Sequence, residues 1–421
     1  MPRSAAETFA PVFRSLLGPY LPVRLRYWDA STDGPRDAPA TVVFHTPHAM
    51  RRFLYAPNEV GLARAYVLEE ITIEGDEAAA LRSLQYAPED ARVPPARLLE
   101  GIVGAARLGV LGRPLPPPPE EVRIRGWRHS RRRDEAAVTH HYDLSNDFYR
   151  LLLGPSMTYS CARFVHPDDS LETAQAAKYD LICAKLGLAP RIRLLDVGCG
   201  WGGMVMHAAT HYGVDAVGIT LSPAQAEMAR QRVKEAGLDN QVEIRREDYR
   251  HLATEDRRFS AISSIGMFEH VGRARMAEYF GALNRLLEPR GRLLNHAIST
   301  PGGSENTRRS FLGRYVFPDG ELQDVGVVAE AMQEHGLEVR DVEALREHYA
   351  LTLRLWLANL EAQWDAAVDL VGYRRARVWR LYLLGSMVSF EVAEVGIHQV
   401  LAVRLDADGS SGMPLTRKAM V

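Results

Sequence analysis

Short runs of branched apolar residues alternate with longer amphipathic stretches from about residue 170 onwards. The stretches at residues 172–188 and 222–238 have the apolar spacing of helices, and the short runs are typical of buried strands. The strand candidates are residues 191–197, 214–220, 241–248, 259–267, 291–298, 337–345 and 398–406. This alternation predicts an α/β fold, in which a doubly wound, mostly parallel, seven-stranded sheet carries helices on both faces.

The first part of the chain has a different pattern. Strand-like runs at residues 23–28 and 40–45 mix with helix-like stretches at residues 58–70 and 96–108. This mixture predicts a smaller α+β domain over residues 1–112. Pro116 to Pro119 then favour extended chain, and a basic stretch follows with six arginines between Arg123 and Arg133. We therefore predict a linker over residues 113–136 and a second domain over residues 137–421.

Composition narrows the class of protein without choosing a function. The 421 residues are 46% hydrophobic and 25% charged, with a formal net charge of −2, so the whole molecule is not attracted to nucleic acid. Cys161, Cys183 and Cys199 lack the paired spacing of a zinc site or disulfide framework and suit a reducing cytosol. We expect no metal, no signal peptide and no membrane-spanning segment, while peripheral membrane contact stays open.

Residues 194–203 form the most informative segment, Leu-Leu-Asp-Val-Gly-Cys-Gly-Trp-Gly-Gly. An apolar strand leads into Asp196, and closely spaced glycines follow, beginning with Gly198 and Gly200. Glycine permits unusual backbone angles and a close approach of the backbone to a nucleotide. The segment predicts a nucleotide site at a strand end, although a tight structural turn would have the same glycines.

The next strand indicates which nucleotide binds. A dinucleotide site usually has an acidic residue at the end of this strand, but Thr220, Leu221 and Ser222 stand here, which disfavours a nicotinamide cofactor. Gln225 has two compatible interpretations. It completes a capping box with Ser222, and its amide can point at ribose hydroxyls.

The third strand is followed by Asp248 and Tyr249. Ligands of doubly wound sheets lie at the carboxyl ends of the strands, so an acidic residue here can accept a hydrogen bond from the adenine amine. The same residue could be an exposed helix N-cap. We favour the adenine contact.

Several rarer strings then occur in a fixed order. They are HHYDLSNDFY (140–149), GPSMTYSCARF (154–164), LLDVGCGWGG (194–203), GITLSPAQ (218–225), SIGMFEHVG (264–272), NHAIS (295–299) and YVFPDGEL (315–322). In these strings the chain resembles the cyclopropane fatty acid synthase family of S-adenosylmethionine-dependent methyltransferases, which is related to the mycolic acid cyclopropane synthases. The resemblance is strong over residues 137–405 and weaker before them.

The resemblance implies the ligands and the residues that hold them. Position by position, it places S-adenosylmethionine against Tyr159, Ser160, Asp196, Gly198, Cys199, Gly200, Thr220, Leu221, Gln225, Asp248 and Tyr249. It also implies a bicarbonate ion held by Cys161 through its backbone and by Glu269, His296, Ile298 and Tyr349.

Two of these residues have alternative interpretations. Glu269 either accepts the hydroxyl proton of bicarbonate or orients His296. Without the resemblance, Glu269 would be interpreted as a polar residue at a strand end, and His296 as a buried histidine whose hydrogen bonds are satisfied. The chain also departs from some family members, because Ser386 stands where they have a cysteine in a late helix. A cysteine from that helix is therefore excluded as nucleophile or base.

The implied reaction transfers a methyl group to the cis double bond of an unsaturated acyl chain on a membrane phospholipid. Proton loss then gives a cyclopropane or, after a hydride shift, an exocyclic methylene, and the sequence leaves both open. The arginine-rich linker with Trp127 suits contact with anionic headgroups at the inner face of the membrane, or is simply solvated. Relatives further imply lipid handling or homodimer formation by the N-terminal region. A small-molecule methyltransferase and a non-catalytic lipid-binding protein are the rival functions.

Overall fold

The computed structural model describes residues 3–18, 21–85, 94–122, 133, 145–302, 304–306 and 310–420. The chain divides into two compact units. One comprises Met1–Val122, Arg309–Tyr315 and Gly372–Val388, and the other comprises Arg123–Arg308, Val316–Val371 and Ser389–Val421. This division differs from the continuous domains expected from the sequence, because two late segments and residues 113–122 belong to the first unit. The arginine-rich stretch up to Arg132, with Trp127, lies outside the described residues.

The first unit is a small α+β structure, as predicted. Its four-stranded sheet has the order β2-β1-β3-β4, in which only β1 and β3 are parallel. Aromatic rings fill its core, where Phe13 packs on Phe53 with ring centroids 5.4 Å apart. Its elements are α1 (Ala5–Leu17), β1 (Arg24–Arg26), β2 (Thr32–Asp33), β3 (Ala40–Phe44), α2 (Pro47–Tyr55), α3 (Glu59–Val67), β4 (Ile71–Gly75), α4 (Glu77–Gln85), α5 (Pro95–Arg107) and the later α12 (Phe311–Tyr315).

The second unit contains the predicted doubly wound sheet. Each of the strand candidates forms a strand: β5 (Arg193–Val197), β6 (Asp215–Thr220), β7 (Val242–Arg246), β8 (Phe259–Ile265), β9 (Leu287–Ser299), β12 (Leu337–Ala344) and β13 (Gly396–Arg404). Short strands β10 (Ser304–Asn306) and β11 (Glu321–Gln323) extend it. The order β7-β6-β5-β8-β9 is parallel, and β13 pairs antiparallel with both β9 and β12.

Helices cover both faces of this sheet because the strands bury apolar side chains on both sides. Leu195 and Leu293 belong to one apolar core, while their neighbours Leu194 and Leu294 belong to the other. The helices are α6 (Asn146–Leu153), α7 (Leu171–Leu186), α8 (Gly203–Tyr212), α9 (Pro223–Glu235), α10 (Tyr249–Leu252), α11 (Met276–Leu286), α13 (Val325–Glu334), α14 (Arg346–Ala362) and α15 (Trp364–Val371). The last helix, α16 (Tyr373–Glu391), lies mainly in the first unit.

The geometry of the strand ends decides where a ligand can bind. The parallel strands β5 to β8 have their carboxyl ends at the same end of the sheet, where each is followed by a loop. Strand β9 runs further than β8, because Ile265 at the end of β8 lies opposite His296, three residues before β9 ends. No helix in the described part of the chain is long and apolar enough to cross a membrane.

Candidate active site

The glycine-rich turn leaves β5 and enters α8 in the geometry that its sequence predicts. The N–H groups of Gly198 and Cys199 both donate to the carbonyl of Ile219 at 2.9 Å. Gly198 has a φ of +84°, which is costly for residues with a side chain. A Cβ on Gly203 would lie 2.4 Å from the hydroxyl oxygen of Tyr179, so α8 begins close to its neighbouring helix only because glycine stands there.

A cavity opens at this edge of the sheet. Every residue predicted to contact S-adenosylmethionine lines it: Tyr159, Ser160, Asp196, Gly198, Cys199, Gly200, Thr220, Leu221, Gln225, Asp248 and Tyr249. Four segments that are far apart in sequence thus meet around one space. The contact of each residue with the cofactor stays a prediction. The convergence of these segments around one cavity supports that prediction.

Gln225 is fixed by its local contacts. Ser222 is the N-cap of α9, as predicted, and its hydroxyl accepts from the Gln225 N–H at 3.3 Å. The hydroxyl of Thr220 donates to Oε1 of Gln225 at 2.8 Å. With its amide oxygen bonded in this way, Gln225 can use Nε2 to donate to a ribose hydroxyl.

Asp248 caps the short helix α10 by accepting from the Arg250 N–H at 2.9 Å. It also pairs with the guanidinium of Arg250, whose Nη2 lies 2.6 Å from Oδ2. The N-cap interpretation of Asp248 is therefore confirmed. The carboxylate also lines the cavity, so the same residue could cap the helix and contact adenine. The adenine contact stays a prediction.

Three residues of α7, which the sequence analysis did not single out, hold the segment 158–160 in place. Nε2 of Gln175 donates to the Ser160 carbonyl at 2.9 Å, and Nζ of Lys178 donates to the Ser160 hydroxyl at 3.1 Å. The hydroxyls of Tyr179 and Thr158 lie 2.9 Å apart. These three polar residues have an i, i+3, i+4 spacing on an otherwise apolar helix face, and this spacing could have identified them in the sequence.

Lys178 and Asp196 are buried ionisable groups beside the same cavity. Burial lowers the pKa of Lys178 to about 7, although Cys161 and Asp196 oppose the shift. Burial also raises the pKa of Asp196 to about 6, against the 2.7 Å hydrogen bond from the Ser263 hydroxyl. The cavity wall therefore changes its charge near neutral pH.

Glu269, His296 and Ile298, here called the second cluster, lie at the end of β9, where this strand extends beyond β8. Because β8 ends opposite His296, the Ile298 N–H donates instead to Oε1 of Glu269 at 2.8 Å. The other oxygen, Oε2, is buried and has no hydrogen-bond partner among the described residues. Burial raises the pKa of Glu269 to about 7, although the backbone hydrogen bond from Ile298 opposes the shift. Glu269 can therefore exchange a proton near neutral pH.

His296 lies two residues earlier on β9 and is completely buried. Burial, with Lys178 and Lys185 nearby, holds the pKa of its imidazole well below the usual range. Nδ1 lies 3.1 Å from Nε2 of Gln399, a residue that the sequence analysis did not identify. Nε2 of His296 is buried without a hydrogen-bond partner in the part of the chain that the structure describes.

Cys161 and Tyr349 are connected to β13 by hydrogen bonds at Leu345, the residue that precedes α14. The Cys161 thiol lies 3.7 Å from the Leu345 carbonyl, which also accepts from the Tyr349 N–H at 3.1 Å. The Leu345 N–H donates to the carbonyl of Ile397, which is paired with Ile298 across the sheet. Burial raises the pKa of the Cys161 thiol far above its usual range, so the sulfur is not a thiolate.

Aromatic rings connect the cluster to the cavity. Trp356 packs against Tyr349 with ring centroids 6.0 Å apart and against Tyr159, which lines the cavity, at 5.3 Å. Main-chain hydrogen bonds of Leu345 and Ile397 thus connect Cys161 and Tyr349 with β13, which pairs with the part of β9 that carries His296 and Ile298. Their catalytic roles stay predictions.

The glycine turn, the polar residues on the second and third strands and the order of the sheet define an S-adenosylmethionine-dependent methyltransferase. The family model for mycolic acid cyclopropane synthetase matches residues 129–400. The chain belongs to this cyclopropane synthase family.

Relatives and solved structures agree with this assignment. The chain is 44% identical to a Mycobacterium tuberculosis protein named a probable fatty acid methyltransferase, over 94% of each chain. It is 37% identical to the Escherichia coli cyclopropane-fatty-acyl-phospholipid synthase, over 68% of this chain and 73% of that one. The structure of the Mycobacterium tuberculosis cyclopropane synthase MmaA2 superposes with a TM-score of 0.60 and 33% identity, covering 64% of this chain and 97% of that one.

Proposed function

We propose that the protein transfers a methyl group from S-adenosylmethionine to the cis double bond of an unsaturated acyl chain of a membrane phospholipid, giving a cyclopropane fatty acid. The observation that carries this proposal is a pair of buried atoms, Oε2 of Glu269 and Nε2 of His296, that have no hydrogen-bond partner in the described part of the chain and lie near the predicted cofactor cavity. The relatives named for fatty acid methylation and phospholipid cyclopropane synthesis support the substrate class.

The alkene is a weak nucleophile, so the enzyme must align it with the methyl carbon and exclude water. The π electrons of the alkene form the new C–C bond, and the C–S bond breaks with its electron pair staying on sulfur. A carbocation then remains on the chain. Tyr159, which lines the cavity and packs against Trp356, offers aromatic surface that does not trap the cation as water would.

The carbocation has to lose a proton from the transferred methyl carbon, and the C–H electron pair then closes the ring. Cys161 is a neutral buried thiol and is unsuited to be the base. A small oxyanion fits the second cluster, because Glu269 and His296 leave buried polar atoms unused there. Bicarbonate, held by His296, Tyr349, Glu269 and the backbone of Cys161, would supply the base. Ile298, whose N–H donates to Oε1 of Glu269, would contribute by holding that carboxylate in place.

Glu269 and His296 have different tasks in this arrangement. Oε1 of Glu269 accepts from the Ile298 N–H, so Oε2 would be the oxygen that accepts the hydroxyl proton of an anion held there. Neutral His296 donates to the anion rather than neutralising its charge. Of the two roles considered for Glu269, these contacts favour proton acceptance.

We also propose that the protein works on the cytoplasmic face of the membrane as a peripheral protein. The acyl chains of its proposed substrate are in the bilayer, and the chain has a basic stretch between its predicted domains. The N-terminal region would handle lipid or join two copies in a homodimer. Sedimentation with anionic and with neutral vesicles tests membrane contact, and light scattering tests the dimer.

The reaction is tested with methyl-labelled S-adenosylmethionine and vesicles of a dioleoyl phospholipid, with and without added bicarbonate in carbonate-depleted buffer. We expect label in the acyl chains and slower labelling without bicarbonate. Label in a headgroup or a water-soluble acceptor would favour the small-molecule methyltransferase, and no labelling at all would favour the lipid-binding protein. Equal rates with and without bicarbonate would contradict the proposed base.

A further inference from the structure

Gln399 and His296 are direct cross-strand neighbours in the antiparallel pairing of β13 with β9. Residues paired in this way project from the same face of a sheet, so the backbone register brings the two side chains together. Both side chains are completely buried, and Nε2 of Gln399 lies 3.1 Å from Nδ1 of His296. The amide therefore contacts the imidazole in a position fixed by the fold.

The chemistry of this contact is directional. In the structure the Gln399 amide turns its NH₂ group toward Nδ1. Because an NH₂ group can only donate, Nδ1 accepts in this orientation, and a neutral imidazole then carries its proton on Nε2. His296 stays neutral because burial, Lys178, Lys185 and His398 all disfavour the imidazolium. A neutral ring still has two tautomers, and a hydrogen bond at one nitrogen selects between them.

The selected tautomer is the one that the second cluster needs. Nε2 of His296 is the ring nitrogen without a partner among the described residues. With a proton on Nε2, the ring donates to an anion, whereas the other tautomer would present a lone pair and repel it. Glu269 does not bond to Nδ1, because Oε1 accepts from the Ile298 N–H and Oε2 has no hydrogen-bond partner among the described residues.

We propose that Gln399 is a positioning residue that fixes the Nε2-protonated tautomer of His296, so that the ring presents a hydrogen-bond donor to the bound oxyanion. The identity of that anion rests on the proposed function, but the tautomer does not. Gln399 acts only through His296 and is not itself a catalytic residue.

The tautomer can be read by nitrogen NMR of the full-length protein carrying isotope-labelled histidine. The signals of His296 are identified by their loss in His296→Gln. We expect a protonated Nε2 and an unprotonated Nδ1 in the wild type, and a loss of this preference in Gln399→Leu. Gln399→Met keeps the side-chain length and serves if the leucine variant does not fold. His398, whose Nδ1 lies 2.8 Å from the Ser299 hydroxyl, should keep its signals in either variant.

Turnover gives the second measurement. Side chains that orient a ligand-holding histidine in metal sites contribute about 10- to 100-fold to affinity or activity. We expect Gln399→Leu to lose turnover by about this factor, to need more bicarbonate for half-maximal rate, and to keep its KM for S-adenosylmethionine.

The two proposals fail in different ways. A protonated Nδ1 in wild-type His296, or a tautomer that neither variant changes, would overturn the role of Gln399 even if the enzyme methylates lipid. If the tautomer changes as expected but no acyl chain is methylated by the wild type, the proposed function fails and the inference about Gln399 stands.

Discussion

Glu269 accepts a hydrogen bond from the backbone N–H of Ile298 at 2.8 Å through one carboxylate oxygen, and its other oxygen is buried. The contact exists because β8 ends opposite His296 and β11 pairs with β9 only at Ser299, so the N–H of Ile298 between them is available to Glu269. Glu269 is thereby held rigidly with one oxygen available for chemistry.

Replacing Glu269 by glutamine should keep the shape and the hydrogen bond from Ile298 but remove the proton acceptor. We expect turnover to fall by about 10²- to 10⁴-fold, the usual range for a group that handles a proton in the transition state. Affinity for S-adenosylmethionine, measured by calorimetry, should not change, because Glu269 does not line the cofactor cavity. Glu338→Gln, at a half-buried position on β12, is the matched control. Wild-type turnover in Glu269→Gln would remove this residue from the mechanism.

The pH dependence of turnover should report the ionisation of Glu269. Burial raises its pKa to about 7, so the carboxylate is mostly protonated below that pH and cannot accept a proton. We expect the rate to rise with pH through about 7 when bicarbonate is held constant at each pH. The residual activity of Glu269→Gln should lack this rise. An unchanged pH profile in that variant would assign the titration to another group, with Lys178 the first alternative because its pKa is also about 7.

Lys178 predicts a pH-dependent stability. Its pKa falls from 10.5 to about 7 on folding, so between these values the unfolded chain binds more protons than the folded protein. Stability should therefore rise with pH over this window, by up to about 1.4 kcal/mol per pH unit. Lys178→Met lacks the titrating group. The difference between its free energy of unfolding in urea and that of the wild type should therefore shrink from neutral to alkaline pH. Parallel stability curves for the two proteins would show that Lys178 does not titrate as predicted.

Cys161 should be dispensable as a thiol. Its sulfur is completely buried and its pKa lies far above neutral, so the thiolate is not populated. We expect Cys161→Ala to keep turnover within about threefold while losing some stability from the small cavity that it leaves. Thermal unfolding separates the two effects. A loss as large as that of Glu269→Gln would mean that the side chain, and not only the backbone, takes part in the reaction.

The sequence predicted the sheet well because its strands are buried on both faces. Such strands appear as continuous apolar runs, and the runs ending at Val197 and Thr220 became β5 and β6 almost to the residue. The glycine turn was predictable for a related reason, since a positive φ at Gly198 is a local requirement. Composition and periodicity carried no such information about distant contacts, and so the joining of Gly372–Val388 to the N-terminal unit was not foreseen.

The site was predicted in part. The cofactor-facing residues follow strand ends, which are visible in the sequence, and the resemblance to a family supplied the second cluster. Lys178 and Gln399 were missed because their roles arise from partners that lie far away in the chain. Gln399 could have been noticed as an amide within an apolar strand, but its partner His296 is fixed only by the register of β13 on β9.

The central claim is that a methyl group from S-adenosylmethionine becomes part of a ring on an acyl chain. The most direct test is mass spectrometry with proton and carbon NMR of fatty acids recovered from dioleoyl phospholipid vesicles after incubation with the protein and S-adenosylmethionine carrying carbon-13 in its methyl group. We predict a product heavier by one labelled methylene group, whose carbon and two protons give cyclopropane signals. Vinylidene signals would contradict ring closure and leave methyl transfer intact, and unaltered oleate would contradict the account as a whole.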